Sequence, residues 1–214
     1  LIAALDQGLG VPSDTAISVW AFIREMAPKR YVDAQFRLGE LHDERVFDAA
    51  LEALRHPSSG REVQAMAFTV LGGDAHAPRI TEEMLTDLVD RQHLRPGDLG
   101  HLIERVHRLR GVDRTLLLAI RDRWAESSTP STRVASVEIG GLIRRPEHDY
   151  WRRMINDPSE EVRSAAVDIV SQKARTEFAK RVIEDRLAHE ESVDVLADLH
   201  RGLERVLRRT SDGD

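Results

Sequence analysis

Asp157-Pro158-Ser159-Glu160-Glu161-Val162-Arg163-Ser164-Ala165-Ala166-Val167-Asp168-Ile169-Val170-Ser171 reads as one complete helical unit, with a start, a charged first turn and an apolar face. Asp157 is read as the N-cap, its carboxylate accepting from the orphan N–H groups of the first turn. Pro158 then falls at the first helical position, where a missing N–H costs nothing. Glu160 can reach back as in a capping box, and Glu160 and Glu161 both suit the positive end of the helix dipole. Val162, Ala165, Ala166, Ile169 and Val170 follow at helical spacing on one face, and the alanines leave room for a neighbouring helix.

The unit recurs. Thr132-Arg133-Val134-Ala135-Ser136-Val137-Glu138-Ile139 overlays the stretch from Val162 to Ile169, 30 residues later, matching arginine, alanine, valine, acid and isoleucine in order. Thr129-Pro130 repeats the cap-then-proline start. A third copy runs from Glu62 to Gly72, with Ser59 and Glu62 as its capping box and Gly72-Gly73 as a left-handed stop. Fainter copies start near Tyr31, Leu99 and Val193, so the starts fall at 31, 63, 99, 132, 162 and 193. A period of roughly 30–40 residues predicts stacked helical units. Between the copies lies a second stripe: Val46-Phe47 with Ala50-Leu51, Met84-Leu85 with Leu88-Val89, and Leu116-Leu117 with Ile120. Tyr150-Trp151 with Met154-Ile155, and Phe178 with Val182-Ile183, continue it. Each unit therefore reads as two antiparallel helices joined by a short turn.

Asp157-Pro158, Val162-Arg163 and Ala165-Ala166 resemble the consensus of HEAT and HEAT-like repeats, including the lyase type: acid-Pro, a few residues, Val-Arg, then Ala-Ala and an aliphatic residue. That likeness implies an all-α protein built as a right-handed α-solenoid of antiparallel helix pairs. Residues 1–209 would form a single repeat domain of about six hairpins, the first partial, and 210–214 a frayed tail. Along the chain, helices are expected from Ser13 or Asp14 to Pro28, then over 29–41, 44–55 and 60–72. More follow after Thr81, over 98–110, 113–125 (capped by Asp113) and 131–143, after Pro146, from Pro158 to Ser171, and over 176–188 and 191–208. Leu1-Ile2-Ala3-Ala4-Leu5 reads as the inside of a helix, as in a piece of a longer chain.

Composition fits that architecture. The chain has 214 residues, 41% hydrophobic but only 5% aromatic, which suits helices packed through aliphatic side chains. The 32% of charged residues suits a thin two-layer structure with much exposed surface. A net charge of −6 argues against a surface that coats nucleic acid, though a local basic strip is compatible with it. Cysteine is absent, so there is no disulfide, thiolate metal site or cysteine nucleophile. No run approaches the ~20 apolar residues of a membrane span, and no signal peptide is visible; a cytoplasmic location is the expectation.

No GxSxG, HExxH or strand-linked glycine-rich loop occurs, and nothing brings a nucleophile to a base, so no catalytic residue, cofactor or metal site is read. His42-Asp43-Glu44, Glu147-His148-Asp149 and His189-Glu190-Glu191 resemble ligand sets and invite comparison with the deoxyhypusine hydroxylases. They fall at turns and helix starts, where the dipole alone accounts for the acids. Gly140-Gly141 reads as a close helix contact. Trp20 and Trp151 read as core, Trp151 sharing a stripe position with Leu85 and Phe47; Trp124 is open between core and contact surface.

In HEAT-like repeats the second helices line a concave surface. The likeness therefore implies that Asp48, Thr86-Asp87, and then Arg121, Arg123, Arg152, Arg153, Lys180 and Arg181 face a groove that turns basic toward the C-terminus. The six cations would receive an acidic peptide, a protein face or a phosphate backbone. The plainer alternative is a set of solvated arginines paired with Asp122, Glu147, Asp149, Glu184 and Asp185. The leading functional reading is a non-catalytic scaffold that binds a protein or acidic peptide. A nucleic-acid-binding module stands second. AlkD-type DNA glycosylases are also HEAT-like, and Trp124 with Asp122 and Arg121 or Arg153 is the nearest counterpart here. A lyase or chaperone for a tetrapyrrole-bearing protein is the third.

Overall fold

A computed structural model describes residues 42, 44–143 and 147–211, and these contain helices and turns but no strand. The expected helices before residue 42, Trp20, Pro146 and the last three residues lie outside them. Among the described residues there are ten α-helices: α1 (Glu44–Arg55), α2 (Arg61–Leu71), α3 (Glu82–Val89), α4 (Pro96–Arg110), α5 (Arg114–Ala125), α6 (Pro130–Gly140), α7 (His148–Ile155), α8 (Glu160–Lys173), α9 (Thr176–Leu187) and α10 (Val193–Ser211). They fall into two compact units, which divide between Val112 and Asp113.

In the first unit α1 packs on α2, and α4 packs on α2, α3 and a short 3-10 turn at Ala77–Arg79. The helices form because their apolar residues recur every three or four positions: Val46, Phe47, Ala50, Leu51 and Leu54 are buried along α1, and Leu85 and Leu88 along α3. Thr81 caps α3 as expected, its Oγ1 accepting from the Met84 N–H at 3.2 Å. Two expected ends differ. The N-cap of α2 is Gly60, with no side-chain cap bond, and Gly72 leaves that helix at a right-handed φ of −75°. The positive φ comes instead at Gly111, where α4 stops at +80°.

In the second unit α6, α8 and α10 pack side by side in turn, and α7 lies against α9. α5 packs on α6, α7 on α8, and α9 on α10. Asp113 starts α5 by accepting from the Thr115 N–H at 2.7 Å. The core runs through Val137, Trp151, Met154, Ile155, Val162, Ala166, Val170, Ile183 and Leu199. Backbones meet closely at the paired glycines: a Cβ on Gly140 would stand 2.9 Å from Cε1 of Tyr150, and one on Gly141 3.1 Å from Cγ2 of Ile169. Trp124 is core, 5% exposed. The tail is helical through Ser211, one turn beyond the expected end.

Asp157 does not cap α8; Ser159 is the N-cap, and Glu160 is the first helical residue. The Asp157 carboxylate is taken by an arginine instead. Arg133, in the first turns of α6, donates from Nε and Nη2 to its two oxygens, both at 2.8 Å. Arg163, 30 residues further on, does the same to Glu190, again at 2.8 Å twice. The acids at 157 and 190 are 33 residues apart. The third donor repeats as well: Nη1 of Arg133 bonds the carbonyl of Ser127 and Nη1 of Arg163 that of Asp157, each six residues back and each at 2.9 Å. Each carboxylate also accepts a backbone N–H two residues on, Ser159 for Asp157 and Ser192 for Glu190. A buried, bidentate clasp thus ties each of α6 and α8 to the turn that starts the next helix in its row.

A second device recurs at the opposite ends. Lys173 of α8 donates to the carbonyl of Gly141 at the end of α6 at 2.8 Å, and Arg209 of α10 to those of Ser171 and Ala174 at the end of α8, at 3.1 Å. In the first unit Arg105 of α4 donates to the Gly72 carbonyl at the end of α2, at 3.2 Å. Each cation meets the negative end of a helix dipole and satisfies a carbonyl that the helix leaves open.

Burial pushes the Glu190 carboxyl upward, but hydrogen bonds from Arg163, the Ser192 N–H and Arg186 outweigh it and leave the group at about 2, against an ordinary 4.5. The clasp is thus worth most when Glu190 is ionised in both folded and unfolded chains, above pH 4.5, and is lost as pH falls from there toward 2. Glu190→Gln keeps the side-chain shape but leaves Arg163 buried without a counter-charge, and should cost about 3 kcal/mol at neutral pH. In urea unfolding followed from pH 7 to pH 2.5, the variant should lose less stability than the parent between pH 4.5 and 2.5.

Candidate basic interface

The six cations read from the sequence separate into different environments. α5 carries Leu117, Ile120, Arg121 and Trp124 on one face, all buried. The Arg121 side chain is only 3% exposed. Its Nε and Nη2 donate to Oδ1 of Asp122 at 2.8 and 2.6 Å, Nη2 also reaches Glu147 at 3.1 Å, and the guanidinium stacks 4.4 Å from the Tyr150 ring. Arg121 is therefore a structural residue and leaves the strip. The solvated-arginine alternative named its two acids, Asp122 and Glu147, but not its burial.

Tyr150 organises this corner. Its hydroxyl meets Ser136 Oγ at 2.9 Å, and that hydroxyl in turn donates to the Arg121 carbonyl at 2.7 Å. Burial pushes the phenol far above its ordinary value despite the Ser136 hydrogen bond and the nearby arginines. Arg153 lies over the same ring at 6.0 Å and ion-pairs with Glu126, yet stays 48% exposed.

Arg152 points elsewhere. It is 53% exposed, with Asp149 at 3.2 Å, and its guanidinium sits 5.8 Å from the Phe178 ring. Phe178, on α9, is half-buried and stacked by exposed His148 of α7, with centroids 4.0 Å apart and planes within 9°. Arg181 follows Phe178 by three residues, so it shares that face of α9; Lys180, two residues from Phe178, does not. Arg181 is exposed and Lys180 half-buried, and neither has an ion-pair partner among the described residues. The expected pairs to Glu184 and Asp185 do not form. Arg123 is exposed but has an interaction of its own.

The arrangement that results is a shallow face across α7 and α9, with a stacked His148–Phe178 pair and the cations Arg152 and Arg181 beside it. Arg153 lies at its edge. The aromatic pair was not read from the sequence. The sequence did place Phe178 at a stripe position, but its partner His148 lies two helices earlier, on α7. Chemically the face offers guanidinium donors and a flat apolar patch. Among the described residues no three His, Asp or Glu side chains come together to hold a metal ion, and no helix is long and apolar enough to cross a membrane. Comparison with protein-family models, with curated proteins and with solved structures finds no match to the chain.

Arg121→Ala should lower stability by about 3 kcal/mol, because truncating a buried side chain opens a cavity beside the Tyr150 ring, while Asp122 and Glu147, each more than half exposed, are left to water. Arg152→Ala should cost less than about 0.5 kcal/mol. Equal losses in chemical denaturation would return Arg121 to the surface.

Proposed function

We propose that the chain is a HEAT-like, right-handed α-solenoid of antiparallel helix pairs that acts as a non-catalytic scaffold for a protein or acidic peptide. Two things support the architecture: arginine–acid clasps that recur at 30- and 33-residue spacing, and the side-by-side row of α6, α8 and α10. The partner contacts are assigned to Arg152 and Arg181 on the α7–α9 face, with Arg153 at its edge; Arg121, Arg123 and Lys180 are left out of them.

One observation carries the functional part. Arg181 is an exposed cation with no acid partner among the described residues, on the same face as an aromatic pair and a second guanidinium. Helix surfaces usually neutralise such charges locally, and a carboxylate supplied by a partner would complete this one. A partner's apolar side chain can lie on the exposed face of His148. The nucleic-acid reading draws less support: Trp124 and Trp151 are buried, so neither indole is open to stack on a base.

Arg152→Glu with Arg181→Glu should leave the melting temperature within about 2 °C of the parent, since both side chains are surface groups. The double reversal should weaken binding of an acidic, aromatic-containing probe peptide at least ~tenfold by fluorescence anisotropy. Unchanged peptide affinity would end the assignment. Tighter binding to a DNA duplex than to the peptide, with a steep salt dependence, would favour the nucleic-acid reading instead.

A further inference from the structure

A second site lies away from that face, in the groove between α8 and α10. It is an open cavity of about 310 Å³ lined by Ser164, Asp168, Ser171, Asp198, Arg201 and Arg205, with Val167 and Gly202 at its floor. Gly202 lets the helices close up here: a Cβ on it would stand 3.0 Å from Cγ1 of Val167.

Arg205 is held by one end. Its Nη1 donates to Oδ1 of Asp168 and to Oγ of Ser171, both at 2.8 Å, and Ser171 is fully buried. Its Nε and Nη2 have no hydrogen-bond partner among the described residues, although the side chain is 42% exposed. That edge of a guanidinium presents two parallel donors that match a carboxylate. The acids differ in the same way. Both oxygens of Asp168 are engaged, one by Arg205 and one by Gln172. Asp198 accepts from Arg201 at Oδ1, and its Oδ2 has no partner among the described residues. The Ser164 hydroxyl is also without a partner among the described residues.

Two aspartates and two arginines make the lining neutral, which disfavours a phosphate dianion. Among the described residues the groove is left with the Nε–Nη2 edge of Arg205, the remaining donors of exposed Arg201, the Ser164 hydroxyl and a single anionic acceptor, Oδ2 of Asp198. We propose that this groove binds a small zwitterion of the α-amino acid type, its carboxylate on the Nε–Nη2 edge of Arg205 and its ammonium on Oδ2 of Asp198. The site shares no residue with the α7–α9 face, so the two stand or fall separately.

L-alanine, acetate, ethylamine and inorganic phosphate serve as probes in calorimetric or NMR titrations of the whole chain. Alanine should bind with a Kd of about a millimolar and at least ~tenfold more tightly than acetate or ethylamine. Asp198→Asn should weaken alanine about tenfold and leave acetate within about twofold, and Arg205→Met should weaken both. Because Arg205 also braces Asp168, Asp198→Asn is the deciding variant, with circular dichroism confirming its fold. Acetate binding as well as alanine, phosphate as the only ligand, or no alanine binding at ~50 mM would each overturn the proposal.

Discussion

The second unit depends on burying arginine without leaving it unpaired. Arg163 is 7% exposed, and its counter-ion Glu190 is 9% exposed. Charges taken this far from water are tolerated only where every donor finds an acceptor. All three guanidinium nitrogens of Arg163 donate, to both Glu190 oxygens and to the carbonyls of Asp157 and Pro158, and Glu190 accepts from Arg163, Arg186 and two backbone N–H groups. The geometry that satisfies the charges also fixes the register of α10 against α8. Aliphatic packing alone would let such helices slide by a turn at little cost, whereas a bidentate clasp works at one register only.

The clasps and the dipole caps divide the labour along the row, and α8 carries one of each. Near the N-terminal end an arginine reaches forward to an acid in the turn before the next helix of the row. Near the C-terminal end a lysine or arginine reaches back to the open carbonyls of the preceding one. Between them lie small residues, Ala135, Gly140 and Ala166 among them, that keep the helices close. This leaves α7 and α9 free to place polar side chains outward, and the stacked His148–Phe178 pair with its arginines is carried there on a braced support.

Much of this was legible in the sequence. The apolar stripes set the helices because a 3.6-residue period is a property of local residue order, and most predicted boundaries fall within a few residues. The roles of charged residues were harder. Arg121 sits at helical spacing with Leu117, Ile120 and Trp124, and Arg163 with Ala166, Val167 and Val170, so both lie within the pattern of buried positions. The charge of Arg121 argued for solvent and Arg163 was read only as part of the repeat consensus; the distant partners Glu147 and Glu190 show why burial is permitted. Asp157 was misread for the same reason: an acid before a helix usually caps it, but Arg133, 24 residues earlier in the chain, claims this one. The groove at Arg205 left no local trace, since it exists only where Gly202 lets α10 approach α8.

The central claim is that equivalent arginine–acid clasps hold successive helices of the row in register. A double-mutant cycle on Arg133→Met and Asp157→Asn, beside one on Arg163→Met and Glu190→Gln, tests it by equilibrium unfolding. The account predicts coupling energies of about 2–3 kcal/mol in each pair, similar in the two because the geometry repeats. Coupling below about 0.5 kcal/mol in both would contradict it and leave aliphatic packing as the source of register.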